Sequence, residues 1–176
     1  MQKFFNIKIK NQNNRAFTLI ELLVVVAIIG ILSSVVLASL NSAREKARDS
    51  RRLSDVRQIQ TALDLYYQDY GRYPPVSSDS PSCGGWDTTG DGSFLTILIS
   101  GGYLGSMILD PNFNTVCSGY HYYRYSASYG YSTPFYVLGV KNMESIKTGD
   151  HPSNPGWIGV SRDWSGEFEW VTGKTE

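Results

Sequence analysis

The chain has 176 residues, 41% of them hydrophobic, and its 16 basic and 16 acidic side chains cancel to zero net charge. That leaves room for one ordinary domain plus an extension, and it excludes a disordered, collagen-like or wholly basic nucleic-acid-binding chain. The zero conceals a gradient. Lys3, Lys8, Lys10 and Arg15 meet no acid within residues 1–16, whereas acids outnumber bases from Gln58 onward.

From Phe17 to Leu40 the sequence reads FTLIELLVVVAIIGILSSVVLASL. This is roughly the 20 residues an apolar helix needs to cross a bilayer, and a helix satisfies its own backbone polar groups there. One reading is a secretory signal cut after Val36-Leu37-Ala38, releasing a soluble domain. The other keeps the segment as a membrane helix. The run is longer than the roughly 7–15 apolar residues of a signal core, which favours retention. Glu21 adds to the case, because a carboxylate at membrane depth costs on the order of 2.5–3.5 kcal/mol. No basic residue lies within the run to pair with it. Either Glu21 snorkels to the headgroups, or its partner is another subunit or a newly made terminal amine. The residues alone leave both open.

The segment Arg15-Ala16-Phe17-Thr18-Leu19-Ile20-Glu21-Leu22-Leu23-Val24-Val25 resembles the cleavage and methylation signature of type IV pilins and type II secretion pseudopilins. The resemblance implies cutting by a prepilin peptidase between Ala16 and Phe17, and N-methylation of Phe17. It implies an assembly role for Glu21, whose carboxylate would meet the terminal amine of a neighbouring subunit. Two departures stand out. Ala16 occupies the place where the family usually has Gly, and no proline falls near Ala38. The helix is therefore expected to lack the family's kink, or to unwind at Gly30 or Ser33-Ser34. Charge does not set the topology, since the four leader cations face five between Arg44 and Arg52. The cleavage motif does, with the leader on the cytoplasmic side.

Apolar residues continue at three- and four-residue steps through Val56, Ile59, Leu63 and Tyr66. Gly71 and Pro74-Pro75 then supply a stop. One helix from about Thr18 to Tyr70, about 80 Å long, is expected. Its terminal stretch, Leu63 to Pro74, also resembles the helix end of major pseudopilins. The basic run 44–52 reads as a solvated helix face, or as a surface for anionic lipid or for acidic heads of adjacent subunits.

In the Tyr- and Gly-rich remainder, 76–92 reads as a loop and 94–99 as a short helix. Strands are expected at 120–126, 135–141, 157–160 and 168–171. Gly102-Tyr103-Leu104 with Leu109-Asp110-Pro111 resembles the pseudopilin head more weakly. The fold class is α+β: a long N-terminal α-helix packed against a small antiparallel sheet. The expected divisions are a leader at 1–16, a helix at 17–70 with its membrane part at 17–40, and a head at 71–176.

Cys83 and Cys117 fit one disulfide in an oxidising compartment; in a reducing one they would be two buried thiols. Asp87-Thr88-Thr89-Gly90-Asp91-Gly92 lacks the alternating acids and closing Glu of a calcium loop. Some pseudopilins bind calcium, and by that likeness alone Asp150, Asp163, Glu167 and Glu169 are candidate ligands; otherwise they are solvated turn carboxylates. His121 and His151 have no nucleophile or phosphate loop beside them, so no catalytic residue is assigned. The tyrosines from Tyr120 to Tyr125 read as sheet packing or as a carbohydrate- or surface-binding face.

The resemblance implies a homo-oligomeric filament subunit that is not an enzyme and needs no cofactor. It would be made as a single-pass inner-membrane precursor and assembled as a periplasmic or extracellular filament with its head outside. Its partners would be the peptidase, an assembly ATPase and a membrane platform. Nucleic acid is not an expected partner, although DNA-uptake fibres share this N-terminus. The rival readings are an anchored binding protein that never polymerises and the secreted domain described above.

Overall fold

A computed structural model describes residues 17–76, 83–90, 93–145, 151 and 153–176. Its elements are helix α1 (Leu19–Tyr70), strand β1 (Asp87–Thr88), helix α2 (Ser93–Ser100), and strands β2 (Tyr120–Tyr125), β3 (Phe135–Val140) and β4 (Trp170–Thr175). A single 3-10 turn at Trp164–Gly166 precedes β4. The chain forms two compact units, residues 1–41 and 42–176.

In the first unit, α1 runs unbroken through Gly30 and Ser33-Ser34, so no unwinding occurs at either place. Ser34 returns its hydroxyl to the Ile31 carbonyl at 2.7 Å, which disposes of that polar group within the helix. All side chains from Phe17 to Arg44 are exposed.

In the second unit the four strands lie in the order β1-β2-β3-β4, each antiparallel to the next. Tyr120 pairs with Val140, and Val140 with Trp170. Alternation splits β3 between two cores. Tyr136, Leu138 and Val140 join Val56, Ile59, Leu63 and Tyr66 of α1, together with Phe94, Leu95 and Leu98 of α2. Phe135 and Val137 join Trp86, Trp164, Phe168 and Val171 in a second, aromatic cluster. Gly139 follows Phe135 and Val137 on the aromatic face of β3, where a Cβ would lie 2.5 Å from the Phe168 ring. α1 ends at Gly71, whose φ of 65° suits the left-handed cap and whose N–H reaches the Tyr67 carbonyl at 2.8 Å.

Two expectations about strands fail. Residues 157–160 form only a single bridge, Ile158 to Asp163, because the chain there turns back over Trp164 instead of extending along the sheet. Asp87 and Thr88, read as loop, form the edge strand that pairs with His121 and Tyr122. The fourth strand begins at Trp170 and runs on to Thr175, past the expected 171. Part of the 76–92 loop lies outside the described residues.

Cys83 and Cys117 are joined by a disulfide that closes a loop across a separation of 34 residues. Beside it, Thr88 Oγ1 donates to the Val116 carbonyl, and a Cβ on Gly90 would stand 2.3 Å from that same oxygen. The bridge therefore clamps a close backbone approach.

Candidate functional site

The start of α1 answers the question that Glu21 poses. Thr18-Leu19-Ile20-Glu21 is a capping box, the arrangement that satisfies two orphan backbone donors reciprocally. The Thr18 N–H donates to Glu21 Oε2 at 2.9 Å and the Thr18 hydroxyl donates to the same oxygen at 2.6 Å. The Glu21 N–H returns a bond to Thr18 Oγ1 at 3.3 Å. An acid in the first turn also opposes the positive end of the helix macrodipole. Among the described residues, the carboxylate thus has polar partners but no cation. The Thr-x-x-Glu spacing of this box is present in the sequence, where Glu21 reads as a lone charge in an apolar run. Ala16, on the other side of the expected cut, lies outside the described residues.

Beyond this cap, the described residues hold one helix long and apolar enough to cross a membrane. Its most apolar 18-residue window has a mean hydropathy of 2.8 and is entirely unburied.

The basic run that follows is not a uniformly solvated face. Arg52 is fully buried, and its Nε and Nη2 grip Asp110 at 2.7 and 2.9 Å in a bidentate fork. Its Nη1 donates to Asp49 at 2.7 Å and to Glu144 at 3.0 Å. Arg48 also forks onto Glu144. Asp49 accepts from the N–H groups of Glu144 and Ser145 and from the Ser145 hydroxyl. Asn112 donates from its backbone to Asp110 and from its side chain to Glu144. One turn further along α1, Asp55 accepts from the Tyr120 hydroxyl at 2.7 Å. Arg48 and Arg52 are thus occupied by acids of their own chain. Arg44, Lys46 and Arg51 remain exposed.

Burial alone would raise the Asp49 pKa, but hydrogen bonds from Ser145, Glu144 and Arg52 outweigh it and hold the group below its ordinary value. Glu144 is lowered chiefly by its bond from Arg48, against an opposing burial contribution. For Arg52, burial works against the charge, and its bonds to Asp110 and Asp49 more than restore it. The cluster ties α1 to the segments around 110–112 and 144–145.

The other singled-out residues do not converge. Asp163 caps the 3-10 turn through the Ser165 N–H, Glu167 forks with Arg162, and Glu169 accepts from the Asn142 N–H. Asp150 and Asp91 lie outside the described residues. Among the described residues no three His, Cys, Asp or Glu side chains are grouped to hold a metal ion. His121 is buried against Trp86 and Phe168, with Nδ1 3.0 Å from the Gly119 carbonyl. His151 Nδ1 accepts from the Ser153 N–H.

The fold is thus α+β and pilin-like, a long apolar-ended helix with a four-stranded antiparallel sheet. Residues 11–37 match the prokaryotic N-terminal methylation motif. The chain is 42% identical over 65 residues to the type II secretion system core protein G of Klebsiella michiganensis, covering 37% of this chain and 46% of that protein. It is 43% identical over 63 residues to the core protein G of Escherichia coli K12, covering 36% and 43%. The type IV major pilin protein PilA of Myxococcus xanthus is 32% identical over 69 residues, covering 39% and 31%. The chain spans less than half the length of these curated relatives. No solved structure matches it significantly. It carries the N-terminal methylation motif and, over stretches of 65 and 69 residues, is similar to a type II secretion system core protein G and to a type IV major pilin protein.

Proposed function

We propose that the chain is a structural subunit of a pilus or pseudopilus-like filament, made as an inner-membrane precursor and trimmed by a prepilin peptidase. The cut falls between Ala16 and Phe17, and Phe17 becomes the methylated first residue. The observation that carries this reading is the pairing of an entirely uncovered apolar helix with a capped acid at its head. Lipid covers such a helix in the precursor. Sister helices replace lipid in the filament, in a heterologous contact that repeats without closing. The assembly ATPase and the membrane platform are partners in this reading.

Glu21 changes partners on assembly. In the single chain its oxygen receives two donors from Thr18. In the filament it meets the terminal amine of a neighbour's Phe17, a cation in a low-dielectric setting where such pairs strengthen. Cys83 and Cys117 pair on the oxidising side, as expected of a head exported beyond the inner membrane.

Intact mass and N-terminal sequence of protein from the native membrane and sheared surface fractions test the reading. A methylated Phe17 terminus is the expected result. A terminus at Ser39 would overturn it in favour of a secreted domain, and an uncut Met1 in filaments would refute the processing step.

A further inference from the structure

The cations that the ionic cluster leaves over gather at the start of the second unit. Of the three acids between Ser42 and Arg57, Asp49 and Asp55 are buried and bonded within the head, which leaves Glu45 against the exposed Arg44, Lys46, Arg51 and Arg57. Arg44 and Lys46 make no ion pair among the described residues. Arg51, 65% exposed, comes no nearer than 3.8 Å to Asp55, whose carboxylate already accepts from Tyr120. The turn 110–113 is fastened to the same stretch of α1. Arg52 holds Asp110, the Asp110 carbonyl accepts from the Phe113 N–H at 3.1 Å, and Asn112 donates to Glu144, which Arg48 holds. Beside these ties Leu109 and Phe113 stay 43% and 44% exposed.

Chain length and charge together identify what covers this surface. Arg44 and Lys46 come four and six residues after Leu40, the last residue of the apolar run, and so stay within about 14 and 21 Å of it on any path. The headgroup layer of a bilayer spanned by that run lies inside this reach. A sister head offers few free acids. Lys174, Arg162 and Arg124 hold Asp64, Glu167 and Glu176 of their own chain, and Arg52 and Arg48 hold Asp49, Asp110 and Glu144. A soluble polyanion would pair the cations but leave Leu109 and Phe113 in water. The interface of an acidic bilayer takes cationic and apolar side chains together.

On the reading that residues 17–40 span the membrane, we propose that Arg44, Lys46 and Arg51 dock on anionic lipid headgroups of that same membrane, with Leu109 and Phe113 at its interface. Each cation near such a surface shifts the balance toward it by about fivefold. The acidic excess from Gln58 onward is repelled by the same surface, so the basic stretch is the part of the head that meets it.

All four tryptophans, Trp86, Trp157, Trp164 and Trp170, lie beyond α1. Energy transfer from them to a dansyl-headgroup lipid therefore reports how near the head stands to the bilayer. The full chain is placed, one copy per disc, in nanodiscs of phosphatidylcholine alone or with about 30% phosphatidylglycerol. Transfer should be higher in the acidic discs and fall back at about 0.5 M salt. A triple variant, Arg44→Gln with Lys46→Gln and Arg51→Gln, should lose the increment and give the phosphatidylcholine value in both. Equal transfer in the two discs, by protein that co-migrates with both, overturns the proposal and leaves the membrane helix standing. Protein that co-migrates with neither disc overturns both. An increment that the triple variant keeps also overturns the proposal, as does one that appears only with two copies per disc, which would give the cations to a sister head.

Discussion

Arg52 and Asp110 stand 58 positions apart in sequence, yet they meet in a two-bond fork with neither side chain more than 2% exposed. A buried pair of this kind is not in itself strong stabilisation, because both ions have left water. Its consequence lies in what happens when one partner is removed.

Arg52→Ala should lower the unfolding free energy by about 3–5 kcal/mol, since Asp110 and Asp49 would be left buried and uncompensated. Arg52→Lys should recover little of this, because an ammonium cannot reproduce the fork onto Asp110 while also bonding Asp49. Urea unfolding followed by tyrosine and tryptophan fluorescence checks both.

The same cluster makes the head acid-sensitive. Asp49 and Glu144 have folded-state pKa values below their ordinary ones. The sign follows: their contribution is present above about pH 4, the unfolded carboxylate range, and is lost as pH falls through the lower folded values. The melting temperature should therefore be level from neutrality to about pH 5 and drop steeply below about pH 4. Asp49→Asn should flatten part of that drop.

Replacing both cysteines by serine releases the loop between Cys83 and Cys117. Chain-entropy arguments put the loss at about 4 kcal/mol for a loop of this length. Thermal melts of the double variant and of the reduced wild type should coincide.

Glu21→Gln separates two functions that Glu21→Ala removes together. Glutamine can still cap through its amide oxygen, but it offers no charge to a neighbour's amine. If filament assembly uses the ion pair, Glu21→Gln should give as few sheared filaments as Glu21→Ala, while Thr18→Val should reduce their yield less. Leader removal, read by mass, should persist in all three.

Gly139→Ala places a methyl group against the Phe168 ring, which is locked among Trp86, His121 and Lys141. Overpacking of this order costs about 1–3 kcal/mol, and denaturant midpoints will register it.

Much of this architecture was legible in the residues. The helix was written in the apolar run and in the three- and four-residue stepping through Val56, Ile59 and Leu63, and Gly71 marked its end. β2 and β3 were clear from aromatic and β-branched alternation. Trp157 to Val160 misled because a β-rich composition does not report that a 3-10 turn doubles the chain back. Asp87-Thr88 was invisible as a strand, since two residues carry no period and owe their pairing to β2. Arg52 was the larger miss. Its stripe position matched Val56 and Ile59, but an arginine in a basic run reads as solvated until Asp110 and Asp49 are brought to it by the fold.

The sheet's strand order follows the chain order without a crossover. Strands that are neighbours in the chain are neighbours in the sheet, so no strand has to be inserted between two already paired. Under the proposed export of the head, where ATP-driven chaperones are not at hand, such a meander leaves β1 and β4 as the edges open to a wrong partner.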